Sequence, residues 1–160
     1  MPLAQAPAER KSPSPETTKR FLEILSRGQE FYYQHAEEAE FVEGFRSYAL
    51  YKDLGLSGPT GGLVQAHLVR LFGECTDEVR QTHYHDTCFQ MVYVLKGWEK
   101  IQAEGHEPVT MKEGSVWIQP PGIKHVVLDY SDGLEVLEII LPAEFDTQEA
   151  PSIREMSSAK

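Results

Sequence analysis

His83-Tyr84-His85-Asp86-Thr87-Cys88-Phe89-Gln90-Met91-Val92-Tyr93-Val94-Leu95-Lys96-Gly97 is the stretch on which the reading of the chain turns. In an extended strand, residues two apart point to the same face, so His83 and His85 bring their imidazoles toward one point. Gln90 opens the next strand, over residues 90–95, and Gly97 closes it. Further along, residues 98–103, the Glu104-Gly105 turn and residues 109–111 read as a hairpin. Residues 116–119, 126–129 and 134–141 supply three more strands. Before the stretch, residues 64–72 alternate, with Ala66, Leu68 and Arg70 on one side and His67, Val69 and Leu71 on the other. Residues 45–51 alternate aromatic and smaller side chains, and residues 55–62 form a glycine-rich connection. Short strands at roughly 8–12-residue spacing with few helices to cover a sheet predict an all-β sandwich or barrel.

The ends of the chain read differently. Residues 1–16, rich in Pro, Ala and Ser, are expected to form a disordered arm. A helix is expected over residues 17–28, capped by Thr17 or Thr18, with Phe21, Leu22 and Leu25 on one face and Gly28 at its end. It begins a lead-in that runs to residue 40. The barrel occupies residues 41–142, and residues 143–160 form a loose polar tail. The chain has 160 residues and a mass of 18.1 kDa, enough for one domain. The net charge of -10, spread along the chain, argues against nucleic acid and anionic membrane surfaces as partners. No apolar run is long enough to span a membrane, and no signal peptide is visible. With two cysteines, Cys75 and Cys88, there is no disulfide framework, and a cytoplasmic location is expected.

By itself a His-x-His pair is compatible with an ordinary solvated or core pair. Its frame makes it specific. The segment reads His83-x-His85-x4-Gln90-x6-Gly97, then, after 16 residues, Gly114-x5-Pro120-x-Gly122-x2-His125. Gly97 and Gly114 permit positive φ at strand ends, and Pro120-Pro121-Gly122 rigidifies a turn just before His125. The remaining histidines, His35, His67 and His106, have no partner spacing. His67 reads as an ordinary strand residue and His106 as a hairpin-tip residue. The two strings resemble the two sequence motifs of the cupin superfamily, with the short intermotif gap of small single-domain members. Gln90 stands where cupins most often have Glu, and Asp129 where a trailing Asn is usual.

This resemblance implies a single jelly-roll-like cupin β-barrel holding one divalent transition metal on His83, His85, Gln90 and His125. Three imidazoles and an amide leave the ion its full charge, which favours an anionic or enolisable oxygen ligand. Fe, Mn, Ni and Zn all suit such a set. Sugar-acid-processing cupins that open uronate rings resemble the chain in having three His and one Gln as ligands.

Other candidates are weaker. In residues 134–141 either Glu135 or Glu138 must share a face with apolar residues. Glu138, deeper in the apolar run, is the preferred general base. Arg70 is a candidate clamp for a substrate carboxylate, with a surface ion pair as the plainer reading. Phe89, Met91, Tyr93, Trp98 and Trp117 are candidate pocket or core residues, and Cys88 lies between ligands without evident aim. Three functions compete: a metal-dependent isomerase or dioxygenase acting on a small molecule, a non-catalytic small-molecule sensor, and a metal-free structural barrel. Phe31-Tyr32-Tyr33 and residues 48–51 offer apolar material for a homodimer, or for the bottom of their own barrel.

Overall fold

The computed structural model describes residues 9–44 and 46–153. One helix, α1 (Pro15–Leu25), precedes the strands β1 (Val42–Glu43), β2 (Ala49–Asp53), β3 (Gln65–Leu71), β4 (His83–His85), β5 (Phe89–Lys96), β6 (Trp98–Ala103), β7 (Val109–Lys112), β8 (Val116–Ile118), β9 (His125–Tyr130), β10 (Leu134–Leu141) and β11 (Thr147–Glu149). They form two facing antiparallel sheets, in the order β1-β2-β3-β10-β5-β8 and β11-β4-β9-β6-β7. The fold is an all-β barrel with one short helix, as the alternation predicts.

Period-two alternation fixes which side chains face inward. On β10 these are Leu134, Val136, Glu138 and Ile140, and on β5 they are Gln90, Val92 and Val94. Leu134, Val92, Val94 and Val136 pack with Ala49, Val69, Leu71, Val79 and Tyr130 into one core. β10 pairs with β3 on one side and β5 on the other, so its inward residues sit in the middle of the larger sheet. Burying this apolar surface is the main stabilising term, because such residues gain nothing from water. Gly97 has φ +79°, and a Cβ there would meet the Ser131 hydroxyl at 2.3 Å, so the β5–β6 corner requires glycine.

Five expectations are corrected. α1 starts at Pro15 rather than 17, because Ser14 caps it: its hydroxyl accepts from the Thr17 N–H at 3.2 Å, with Pro15 at the first turn. The Thr17 hydroxyl instead donates to Asp86 at 2.7 Å, and the Ser14 N–H donates to the same carboxylate at 3.0 Å. The helix start is thereby fastened to the residue after His85. The helix also ends at Leu25, short of Gly28. Residues expected as a loose tail include β11, which pairs with β4. The early strand is Ala49–Asp53 rather than 45–51. Phe31 is 93% exposed, so it does not close the bottom of the barrel. The outer parts of the expected arm and tail, residues 1–8 and 154–160, lie outside the described residues.

Leu134 is fully buried in the core. Leu134→Ala is expected to destabilise the fold by about 3 kcal/mol, read as a lowered midpoint in a denaturant titration. A loss under about 1 kcal/mol would mean that the core is not organised around β10.

Candidate functional site

β4 and β9 pair through one register match, His83 opposite His125. The strand pleat then turns His85 to the same face as His83. The three rings cluster with centroids 4.4 to 5.3 Å apart. One ligand atom from each lies within 4.8 Å of the others. The Pro120-Pro121-Gly122 turn is tied down where it matters, since the Gly122 N–H donates to the His85 carbonyl at 2.8 Å.

One nitrogen of each ring is already engaged. Nδ1 of His83 meets the Gln81 carbonyl at 2.9 Å, and Nδ1 of His125 meets the Ile123 carbonyl at 2.9 Å. Nδ1 of His85 meets the Thr147 hydroxyl at 3.0 Å, supplied by β11. A carbonyl only accepts, so Nδ1 of His83 and of His125 carries the proton and Nε2 keeps a free lone pair. Nε2 of His125 is buried without a partner, and so is Oε1 of Gln90, which lines the same cavity from the other sheet. Orphaned buried acceptors are rare unless something else completes them. Burial holds all three imidazoles below their ordinary value, His85 to about 4 and His125 to about 3, with mutual repulsion adding to both. They are neutral at pH 7, the form that ligates a metal. Three neutral imidazoles and an amide oxygen fit a divalent transition metal.

The cavity around them measures about 960 Å³. Glu138 lines it, a quarter exposed, opposite His67 in register, and the His67 Nε2–H donates to its Oε2 at 2.8 Å. Burial alone would raise this carboxyl. The hydrogen bond and charge of His67, with His85 and Arg46 helping, carry it below the ordinary range instead. Arg46, between β1 and β2, is the one lysine or arginine lining the cavity among the described residues, and it donates to the Tyr48 hydroxyl at 2.7 Å.

A family model for the cupin domain matches residues 76–140, which span the three histidines, Gln90 and Glu138. That segment carries the pattern of a cupin domain. No curated protein matches it in sequence. Among solved structures it is similar to KdgF from Halomonas sp., with TM-score 0.57 and 16% identity over 71% of this chain and 96% of that one. An RmlC-like cupin from Shewanella frigidimarina gives TM-score 0.55 and 17% identity over 72% and 95%. The iron(II) form of HppE gives TM-score 0.56 and 12% identity over 69% and 60%. At these identities the likeness is one of fold.

The cavity gathers His83, His85, Gln90, His125 and Glu138 and omits other candidates. Arg70 does not line it. Its side chain pairs with Glu135, its register partner, at 3.0 Å and lies over the Phe41 ring. Of the aromatic candidates only Trp117 faces the cavity. Phe89, Met91 and Tyr93 occupy the outward phase of β5, and Trp98 is 37% exposed. Cys88 does not line it, and both thiols are free. Sequence reasoning missed Arg46, Thr147, Glu99 and the role of His67. The phase of β6, in which Glu99 falls with buried Ile101, was the available sign for Glu99.

Burial raises Glu99 to about 7. The lowered histidines make the unfolded chain take up protons that the folded one refuses, so metal-free protein loses stability as pH falls below about 6.5. Glu99 works in the opposite sense, since its contribution is present at low pH and lost as pH rises through about 7. Urea midpoints of the metal-free chain should therefore drop between pH 7.5 and 5, and more steeply in Glu99→Gln. Equal midpoints at both pH values would contradict the neutral cluster.

Proposed function

We propose that this cupin-domain protein is a metal-dependent enzyme acting on a small anionic, enolisable oxygen compound by moving a proton, as in sugar-acid isomerisation or ring opening. The observation that carries the proposal is the convergence of neutral imidazoles, with unpartnered His125 Nε2 and Gln90 Oε1, beside the Glu138–His67 pair. His83, His85, Gln90 and His125 would hold the metal, which would supply Lewis-acid polarisation of a substrate oxygen. Arg46 supplies a cation for a substrate carboxylate, the part first assigned to Arg70. Glu138 is ionised and faces the cavity, so it is placed to accept a proton from carbon. His67 orients that carboxylate and disperses its charge.

The proton-handling pair favours this non-redox reading over dioxygenase cleavage, which has no comparable need for a cavity base. A ligand-binding sensor would have no need for it either.

Elemental analysis of purified protein tests the site. Near-stoichiometric metal that is absent from a His83→Ala, His85→Ala double variant is expected. No metal in either protein after reconstitution would overturn the reading. With metal in place, turnover of a panel of uronates should fall about 100-fold or more in Glu138→Gln at unchanged metal content. Oxygen consumption by an iron-loaded protein that ignores Glu138→Gln would move the assignment to oxygenase chemistry.

A further inference from the structure

The cavity holds a second carboxyl in surroundings opposite to those of Glu138. Glu99 sits on β6, 4% exposed. The Trp117 indole on β8 donates to its Oε1 at 2.8 Å, a bond that crosses from one sheet to the other. An indole N–H only donates, so Oε1 is always the acceptor, and the proton of the neutral acid resides on Oε2. No group among the described residues hydrogen-bonds Oε2, and Glu99 lines the cavity. The acid's O–H is therefore available to a ligand and not to the protein.

We propose that Glu99 is the proton donor of this site, delivering the Oε2 proton to a substrate oxygen while Glu138 takes a proton from the adjacent carbon. The inference rests on the proton-transfer reading above and adds the acid that this reading lacked. The proton count closes. Glu138 breaks the C–H bond and keeps the proton. The electron pair of that bond moves into the C–C bond, the carbonyl pair moves to oxygen, and the O–H bond of Glu99 breaks as that oxygen gains its hydrogen. The substrate leaves as its tautomer, Glu138 is protonated and Glu99 ionised, and solvent exchange restores both.

The environments of the two carboxyls divide the roles. Glu138 has a donor and positive charge beside it. Glu99 has one neutral donor and little water, and stays largely protonated up to near neutral pH. The groups against it are Trp117 from β8, its register partners Tyr130 on β9 and Met111 on β7, and Glu138 from β10. Glu138 is the charge among them that acts on it, and it raises Glu99 further.

A purely structural tie between sheets would give the same Glu99–Trp117 bond, so the test must separate the two. Glu99→Gln keeps an acceptor for Trp117 and an N–H facing the cavity. Carboxyl carbon NMR of glutamate-labelled full-length protein, with and without zinc(II), follows the titration. Acetate binding to the zinc-loaded protein, measured by calorimetry at pH 6 and 8, follows the donor. One carboxyl titrating near pH 7, absent from Glu99→Gln, is expected. So is a loss of acetate affinity from pH 6 to 8 about tenfold larger in the parent than in the variant. Titration of Glu99 near 4.5, or the same pH dependence of acetate binding in both proteins, would overturn the proposal. Failure to take up zinc would instead overturn the metal reading, and the carboxyl titration in that metal-free chain would still decide where the Glu99 proton resides.

Discussion

A buried imidazole must place its N–H somewhere, and the site follows from where these three place theirs. The loop carbonyls of Gln81 and Ile123 take the protons of His83 and His125, and Thr147 engages His85. Nε2 of His125 is left buried with no partner among the described residues. A three-histidine cluster prepared in this way would need little reorganisation to hold a metal, because ring orientation is already set. Each acceptor belongs to the frame of the barrel: the approach to β4, the turn before β9, and the C-terminal strand.

The same economy of polar groups divides the two carboxyls. Glu138 is matched with His67 across one strand pair, and Glu99 with Trp117 across two sheets. The hydrogen bond from His67 and the nearby Arg46 lower one acid, while a neutral donor in a dry setting leaves the other raised. An acid and a base thus share one cavity at one pH. The proposed proton transfer on a small oxygen-rich molecule would use this division, with Arg46 offering the countercharge.

Much of the frame was legible in the sequence. Alternation placed β3 and the strands from β5 to β10 within a residue or two, because period two holds whatever the partner strand. Glu138 could be preferred over Glu135 because it lies deeper in the apolar run of residues 134–141. The helix start was misjudged because Thr17 and Ser14 are both good caps, and only the position of Asp86 decides which hydroxyl serves the helix. β11 carries no hydrophobic alternation of its own. Its pairing with β4 comes from the neighbour it meets.

The sequence by itself determined the all-β class and the motif spacing, whose resemblance to cupins is what singled out His83, His85, Gln90 and His125. Those depend on short-range period and on turns that glycine and proline enforce. The tertiary structure alone decided what those residues meet. His67 and Glu138 are 71 residues apart, and Arg70 and Glu135 are 65 apart. The two pairs use the same register between β3 and β10, yet one faces the cavity and the other does not. The cause is the pleat: once the sheets close on their apolar faces, every odd residue of β3 turns inward and every even one outward. That closure made His67 part of the site, removed Arg70 from it, and brought in Arg46, Thr147 and Glu99 from segments whose own sequence carries no motif.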